Sequence, residues 1–198
     1  MSHPLLCSVL IPTYKRTDLL KKVVRSIIDN ASDKSCFEII IRVQTNDPET
    51  MAAIPELVGF CASVKIVVAD PLNGYGDLSR FYDDCAALAM DSEFIWIGND
   101  DCMSMSQGWD DEVRKAPKNH ILIPQKHGSG HSLYFNDTHC PFFFIQNGSW
   151  KKYGITKFET PFDAGLWTLL RQNGWPDYIL PGVAIWHVRG AACPNSGI

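Results

Sequence analysis

A chain of 198 residues with a formal net charge of −4 and a sequence pI near 5.8 can bury one substantial core, and its charge excludes attachment to nucleic acid by bulk electrostatics. Its 45% hydrophobic and 20% charged residues belong to a globular domain and exclude a disordered or fibrous chain. No apolar run approaches the ~20 residues that span a bilayer, residues 1–6 are too short for a signal peptide, and seven cysteines with no Cys-x-x-Cys pair read as reduced thiols of a cytoplasmic protein.

Residues 7–11 are a continuous apolar run closed by Pro12, as in a strand buried on both faces. From Thr17 the period changes. Leu19, Leu20, Val23, Val24, Ile27 and Ile28 share one face of a helix, and Asp18 stands in its first turn, where a negative charge suits the dipole. After a polar loop at 30–35, residues 37–43 read as a second buried strand rich in β-branched side chains. Asn46-Asp47-Pro48-Glu49 is a turn into a short helix over 50–60, flawed at Pro55. Residues 64–68 read as a third strand, 70–76 as a long turn, and 78–90 as a helix turning Phe81, Cys85, Leu88 and Ala89 inward. Phe94-Ile95-Trp96-Ile97-Gly98-Asn99-Asp100-Asp101 then runs a fourth apolar strand into a tight acidic turn.

This alternation of strand and helix implies a mostly parallel sheet over the first half of the chain. Past Trp109 the rhythm breaks into short strand candidates at 121–124, 133–135 and 141–145, a helix over 163–173 stopped by Gly174, and a last strand at 183–186 leading into His187. The expected organisation is one domain over 1–198, its first half ending at 101 and a mixed second half carrying loops over the sheet's carboxyl edge. Ligands of α/β folds gather at that edge. Two adjacent carboxylates delivered there suit a hard divalent cation, although Gly, Asn and Asp also make ordinary solvated turns.

Several segments carry a resemblance when taken together. They are Ser8-Val9-Leu10-Ile11-Pro12-Thr13-Tyr14-Lys15-Arg16, the helix after it, Phe37-Glu38-Ile39-Ile40-Ile41 with its polar turn, the run from Asn73-Gly74 through Arg80, and Asn99-Asp100-Asp101. In order and spacing they resemble the family 2 nucleotide-sugar glycosyltransferases of the GT-A fold, over residues 7–190. The resemblance implies a Rossmann-like, mostly parallel sheet flanked by helices, with a mixed C-terminal extension. It makes 1–101 the nucleotide-sugar half and 102–198 the acceptor-side half of the domain. The implied activity is that of a metal-dependent hexosyltransferase using a UDP-sugar, with inversion at the anomeric carbon and Mn²⁺ or Mg²⁺ as cofactor. The acceptor is a hydroxyl of a glycan, a lipid-linked sugar or another molecule.

By the same resemblance Asn99-Asp100-Asp101 stands at the family's D-x-D position, with Asp101 as first metal ligand, Asp100 as second and His187 completing the set. Pro12, Thr13, Tyr14 and Arg16 belong to the loop that receives the nucleoside, where the Tyr14 ring can stack on a base. Gln44 stands where the family places an acid facing the base, Arg80 near the donor, and Asn99 near its ribose. Asp163, opening a helix after Trp150-Lys151-Lys152-Tyr153-Gly154, matches the family's general base; as a plain helix N-cap it would need no chemistry. Arg189 is placed to meet a phosphate. His127, His131, His139 and Cys140 have no recognised zinc-finger spacing and read as part of an acceptor loop. Neighbouring carboxylates cannot flank a glycosidic bond at the roughly 5–9 Å that hydrolysis requires, which excludes a glycosidase at Asp100 and Asp101. Two other readings stay open: a nucleotidyltransferase on a similar sheet, against which the missing Gly-rich, basic first loop counts, and a non-catalytic binding module of the same fold.

Overall fold

β1 (Leu5–Pro12) and β2 (Phe37–Gln44) are buried along nearly their whole length, as mostly apolar strands in the middle of a parallel sheet are, and the buried charges that interrupt β2 are paired, Glu38 with Lys65 and Arg42 with Asp84. They pair in parallel from Cys7 opposite Phe37 to Pro12 opposite Arg42. β3 (Val64–Ala69) lies parallel on the far side of β2, and β4 (Ser92–Ile97) parallel on the far side of β1. The connections are α1 (Thr17–Asp29), α2 (Pro48–Gly59) and α3 (Leu78–Ala86), the last entered through a 3₁₀ turn at Gly74–Asp77. The computed structural model describes residues 5–89, 91–128, 142–154 and 162–188. The strand expected at 133–135, His131, His139, Cys140 and Arg189 lie outside the described residues.

The second half adds β5 (Cys102–Ser104), α4 (Trp109–Lys115), β6 (Ile121–Gly128) and β7 (Phe144–Gln146). A helical turn α5 (Asn147–Ser149) runs into a π turn over Trp150–Gly154, followed by α6 (Phe162–Gln172) and β8 (Asp177–His187). All eight strands form one sheet in the order β3-β2-β1-β4-β7-β6-β8-β5. β7 is antiparallel to both β4 and β6, β8 is parallel to β6, and β5 is antiparallel to β8. The protein is therefore of the α/β class, parallel in its first half and mixed in its second, as expected. No helix among the described residues is long and apolar enough to cross a membrane.

Strand alternation divides the core in two. Val9 and Ile11 of β1 share a cluster with Leu20, Val23, Val24 and Ile27 of α1. Leu10 between them joins Tyr82 and Cys85 of α3 and Leu166 and Leu170 of α6. Late elements are tied to early ones by buried polar contacts as well. The Trp109 ring is wholly buried against Phe37 and Trp96, and its Nε1 donates to the Ile27 carbonyl at 3.0 Å. The buried Asp110 carboxylate accepts from the Ser32 and Asp33 amides at 2.7 and 2.9 Å.

Among the boundaries that differ from expectation, three have a local cause. α2 begins at Pro48, because Asp47 caps it and proline suits a first helical turn. α3 stops at Ala86 instead of 90. The Leu88 and Ala89 amides bond back to the Cys85 and Ala86 carbonyls, three residues away, which tightens the chain out of the helix and leaves Leu88 46% exposed. β8 is longer than its apolar stretch at 183–186. Pro181-Gly182 reads as a turn, yet the strand runs through it, with Gly182 at φ 74° and a register irregularity opposite Ile123 to Gln125.

Candidate functional site

The acidic turn after β4 is carried across the carboxyl end of β1 by a glycine. The Gly98 amide donates to the Leu10 carbonyl at 2.9 Å, and a Cβ at Gly98 would lie 2.9 Å from that same oxygen and 3.2 Å from Ile11 Cγ1. Any side chain would push the two strands apart, so only glycine permits this approach. The turn it enters lays Asp100 and Asp101 over the loop that follows β1.

Asp100 is 7% exposed and both its oxygens are engaged. Thr13 Oγ1 donates to Oδ2 at 2.8 Å, and Arg16 Nη1 donates to Oδ1 at 3.0 Å. The same Arg16 nitrogen donates to Asp101 Oδ2 at 3.1 Å, so one guanidinium bridges two adjacent acids. Asp101 faces three more groups. Its Oδ2 lies 3.5 Å from His187 Nε2, its Oδ1 accepts from Cys102 Sγ at 3.2 Å, and its carbonyl accepts from the Val188 amide at 2.9 Å. Asp101, Cys102 and His187 bring carboxylate, thiol and imidazole ligand atoms within 4.8 Å of one another, a donor set that fits a divalent cation.

The two acids titrate in opposite directions. Burial pushes the Asp100 carboxyl up to about 6 from its ordinary 3.8; the Arg16 charge and the hydrogen bonds from Thr13 and Arg16 oppose the rise, and Asp101 adds to it. Burial acts to raise Asp101 too, but the hydrogen bond and charge of His187, the Cys102 thiol and Arg16 outweigh it, and its carboxyl lies below the ordinary value.

The rise at Asp100 makes a stability prediction. With the folded-state value above the unfolded one, the contribution favours the fold below about pH 4 and is lost as pH rises through about 6. A rise of about two units corresponds to at most ~3 kcal/mol. Asn fits the site, with Oδ1 accepting from Arg16 and Nδ2 donating to Thr13 Oγ1. Asp100→Asn without added metal is therefore expected to match the wild type near pH 4 and to be more stable by about 1–3 kcal/mol above pH 7, read by denaturant melts across pH. A variant less stable than wild type at neutral pH would contradict this.

On the other side of Asn99 stands Tyr82, 1% exposed. Its hydroxyl proton is shared between the Gly98 carbonyl and Asn99 Oδ1, both at 2.8 Å. The ring stacks on Phe162 with centroids 5.0 Å apart, and burial, then the Asp163 charge, raise its phenol. Asp163, half-buried in the first turn of α6, follows Phe162 and so lies on the side of Tyr82, whose hydroxyl bonds Asn99.

The residues expected on the nucleoside side are placed less uniformly. Pro12 ends β1, buried opposite Arg42. Tyr14 is half-buried, its hydroxyl accepting from Asn46 Nδ2 at 3.4 Å, with Lys15 Nζ 4.9 Å from its ring centroid. Gln44 closes β2 and is 4% exposed, its Oε1 accepting from the Leu72 amide at 3.1 Å, so it anchors the turn after β3. Arg80 lies on the exposed side of α3, and among the described residues no hydrogen bond or ion pair ties it to the acidic turn. An open depression of about 520 Å³ lies at the amino end of β4, lined by Asp91, Glu93, Lys151 and Trp175 among others, at the far edge from these groups.

Three site-shaping residues escaped sequence reasoning. Tyr82 had a signal, lying three residues before Cys85 on the inward face of α3. Asp47 had another, as an acid directly before Pro48 at a helix start. Cys102 passed as one of seven reduced thiols, and only its position beside two aspartates hinted otherwise.

No protein-family model and no curated protein sequence matches the chain. Solved structures do. Residues 1–349 of TarS from S. aureus, in complex with UDP-GlcNAc, superpose with a TM-score of 0.77 at 14% identity, covering 94% of this chain and 59% of that one. The mannosyltransferase PcManGT from Pyrobaculum calidifontis, in complex with GDP-Man and Mn²⁺, gives 0.73 at 12% identity, covering 99% and 59%. GalNAc-T7 with UDP, GalNAc and Mn²⁺ gives 0.67 at 13% identity, covering 93% and 43%. This chain thus spans less than two thirds of the length of each of these three chains. At such identities the likeness is one of fold, and the fold is that of the GT-A nucleotide-sugar glycosyltransferases.

Proposed function

We propose that the chain is a metal-dependent glycosyltransferase that moves a sugar from a UDP-sugar to an acceptor hydroxyl, with inversion. The observation that supports it most is the meeting of Asp101 and His187 at the carboxyl edge of a GT-A sheet, with Asp100 joined to Asp101 through Arg16 and Asp163 near Tyr82. In this reading Asp101 and His187 hold a divalent ion, Mn²⁺ or Mg²⁺. Asp100 joins them only as the Arg16 guanidinium gives way between the two acids. The ion's chemistry would be Lewis-acid support for the charge on the departing diphosphate.

The protein's own groups do the rest. Tyr14, beyond the end of β1, offers a ring to the nucleobase, with Pro12 and Gln44 as neighbours and Arg80 as an outer phosphate contact. Thr13 acts through Asp100, because its hydroxyl proton is committed there. Asn99 is oriented by Tyr82: its Oδ1 receives that hydroxyl, which leaves its NH₂ to donate to a donor hydroxyl. Asp163 removes the proton from the acceptor hydroxyl as that oxygen attacks the anomeric carbon.

A thermal-shift panel of nucleotide sugars with and without Mn²⁺ tests the reading. A donor at about 100 times its Kd should add about 2.7 kcal/mol, or about 5–10 °C, only when ion and donor are both present. Asp163→Asn should keep that shift and lose donor turnover. If no nucleotide sugar shifts or is hydrolysed under either condition, the proposal fails; full turnover in Asp163→Asn would remove the base from the scheme.

A further inference from the structure

The pairing of β5 with β8 is antiparallel and sets Cys102 directly opposite His187. Residues directly opposed across an antiparallel pair project to the same face, with Cβ atoms about 4.5–5.5 Å apart. Asp101 immediately precedes β5, and its carbonyl extends the same ladder through the Val188 amide at 2.9 Å. Carboxylate, thiol and imidazole are therefore converged by the register of two rigid strands. Cys102 Sγ stands 3.2 Å from Asp101 Oδ1, and His187 Nε2 stands 3.5 Å from Asp101 Oδ2. His187 Nδ1 is buried without a hydrogen-bond partner among the described residues. With the proton on that atom, the neutral ring keeps the Nε2 lone pair for an ion.

We propose that Cys102 is a ligand, and that Asp101, Cys102 and His187 form a mixed oxygen, sulfur and nitrogen site for a thiophilic divalent ion of the zinc type. The proposal rests on the metal-dependent reading given above and changes which ion that site selects. Mg²⁺ takes oxygen ligands and gains little from sulfur, whereas Zn²⁺ and Co²⁺ bind thiolate, imidazole and carboxylate together. Three protein ligands leave a fourth position open, which a diphosphate oxygen can fill. On ligation the sulfur–proton bond of Cys102 breaks, its electron pair forms the sulfur–metal bond, and the proton passes to solvent.

The natural order of divalent affinities already places Zn²⁺ and Co²⁺ above Mn²⁺, so a simple ranking of ions does not test the idea. Cobalt spectroscopy does. A thiolate bound to Co²⁺ gives a sulfur-to-metal charge-transfer band in the near ultraviolet that oxygen and nitrogen ligands lack. The wild-type chain titrated with Co²⁺ is expected to show that band, and Cys102→Ser to bind Co²⁺ without it. By calorimetry, Cys102→Ser should weaken Co²⁺ and Zn²⁺ by more than about 10-fold, a loss that even outer partners of metal ligands can cause, and leave Mg²⁺ nearly unchanged. His187→Gln, which keeps the thiol, should retain the band at lower affinity, and melting curves without metal check that each variant folds.

A band that persists in Cys102→Ser would arise from another cysteine and overturn the assignment. So would Co²⁺ binding without a band, or no Co²⁺ binding at all. Donor binding measured in parallel with Mn²⁺ and a UDP-sugar separates the two levels: if it survives while the sulfur signature is absent, the glycosyltransferase reading stands and the thiol ligand falls.

Discussion

Asp101→Ala is expected to lower nucleotide-sugar turnover by about 10²–10³-fold or more and to remove the ion-dependent part of donor binding, while the protein stays folded. Asp101 is where Arg16, Cys102 and His187 converge, so its loss takes away the carboxylate that all three face. Asp100 does not replace it, because Thr13 holds one of its oxygens and it is Asp101 that His187 and Cys102 face. The two acids also separate by pH. The Asp101 carboxyl is held below its ordinary value, so it contributes stability above the unfolded value, lost as pH falls through the folded one. Asp101→Ala should therefore cost stability at neutral pH and progressively less in acid. Asp100→Asn should do the opposite, gaining at neutral pH. Turnover at neutral pH and melting curves of both variants check the pair, the melts taken from neutral pH to about pH 4 for Asp100→Asn and on below about pH 4 for Asp101→Ala. If Asp101→Ala keeps more than about a tenth of wild-type turnover, the acidic turn is not the seat of the chemistry.

The contrast also shows what a sequence can express about such a site. β1, β2 and β4 were legible because a strand buried on both faces needs a mostly apolar run, and β3, half-buried at the sheet edge, because its residues are mostly β-branched; each run ends in a polar turn. α1 was legible because its apolar residues repeat at helical spacing. The mixed half was harder. Pro181-Gly182 looks like the end of a strand, and only pairing with β6 carries β8 through it. β5 is three residues long and takes its meaning from its partner, since cross-strand register is a property of two segments. The same reason hid Cys102. Nothing near it in sequence shows that His187, 85 positions away (187 − 102), stands opposite. Asp100 and Asp101 were visible as an acidic pair, but that Thr13 holds the one while Cys102 and His187 face the other comes only from the fold. Arg16 read as a donor contact; in the fold its guanidinium already serves the acids, so any contact with a donor must compete with them.

Asp47→Ala is expected to cost about 3–5 kcal/mol, or about 10 °C in Tm, the largest stability loss of any single change discussed. The carboxylate is completely buried and accepts three hydrogen bonds from three directions. Lys15 donates its amide to Oδ2 at 2.6 Å, Thr50 donates its amide to Oδ1 at 3.2 Å, and the Thr50 hydroxyl donates to Oδ2 at 2.7 Å. One side chain thus caps α2 and ties it to the loop between β1 and α1. Hydrogen bonds to a charged group contribute about 1.5–3 kcal/mol each, and alanine would leave the donors unsatisfied in a dry site. The Lys15 bond matters most for function. Lys15 has φ 54°, in the left-handed region that a long side chain rarely adopts, so the loop needs an external tie to hold that shape. With the tie cut, Thr13, Tyr14 and Arg16, which flank Lys15, lose their fixed positions. Donor affinity should then fall together with Tm, although Asp47 touches neither the acidic turn nor His187. Amide exchange should localise the effect, with Lys15 and Thr50 exchanging much faster while β1 and β4 stay protected. A Tm within about 2 °C of wild type would show that the carboxylate is dispensable, and would shift the placement of the loop onto Asp100, through its hydrogen bonds with Thr13 and Arg16.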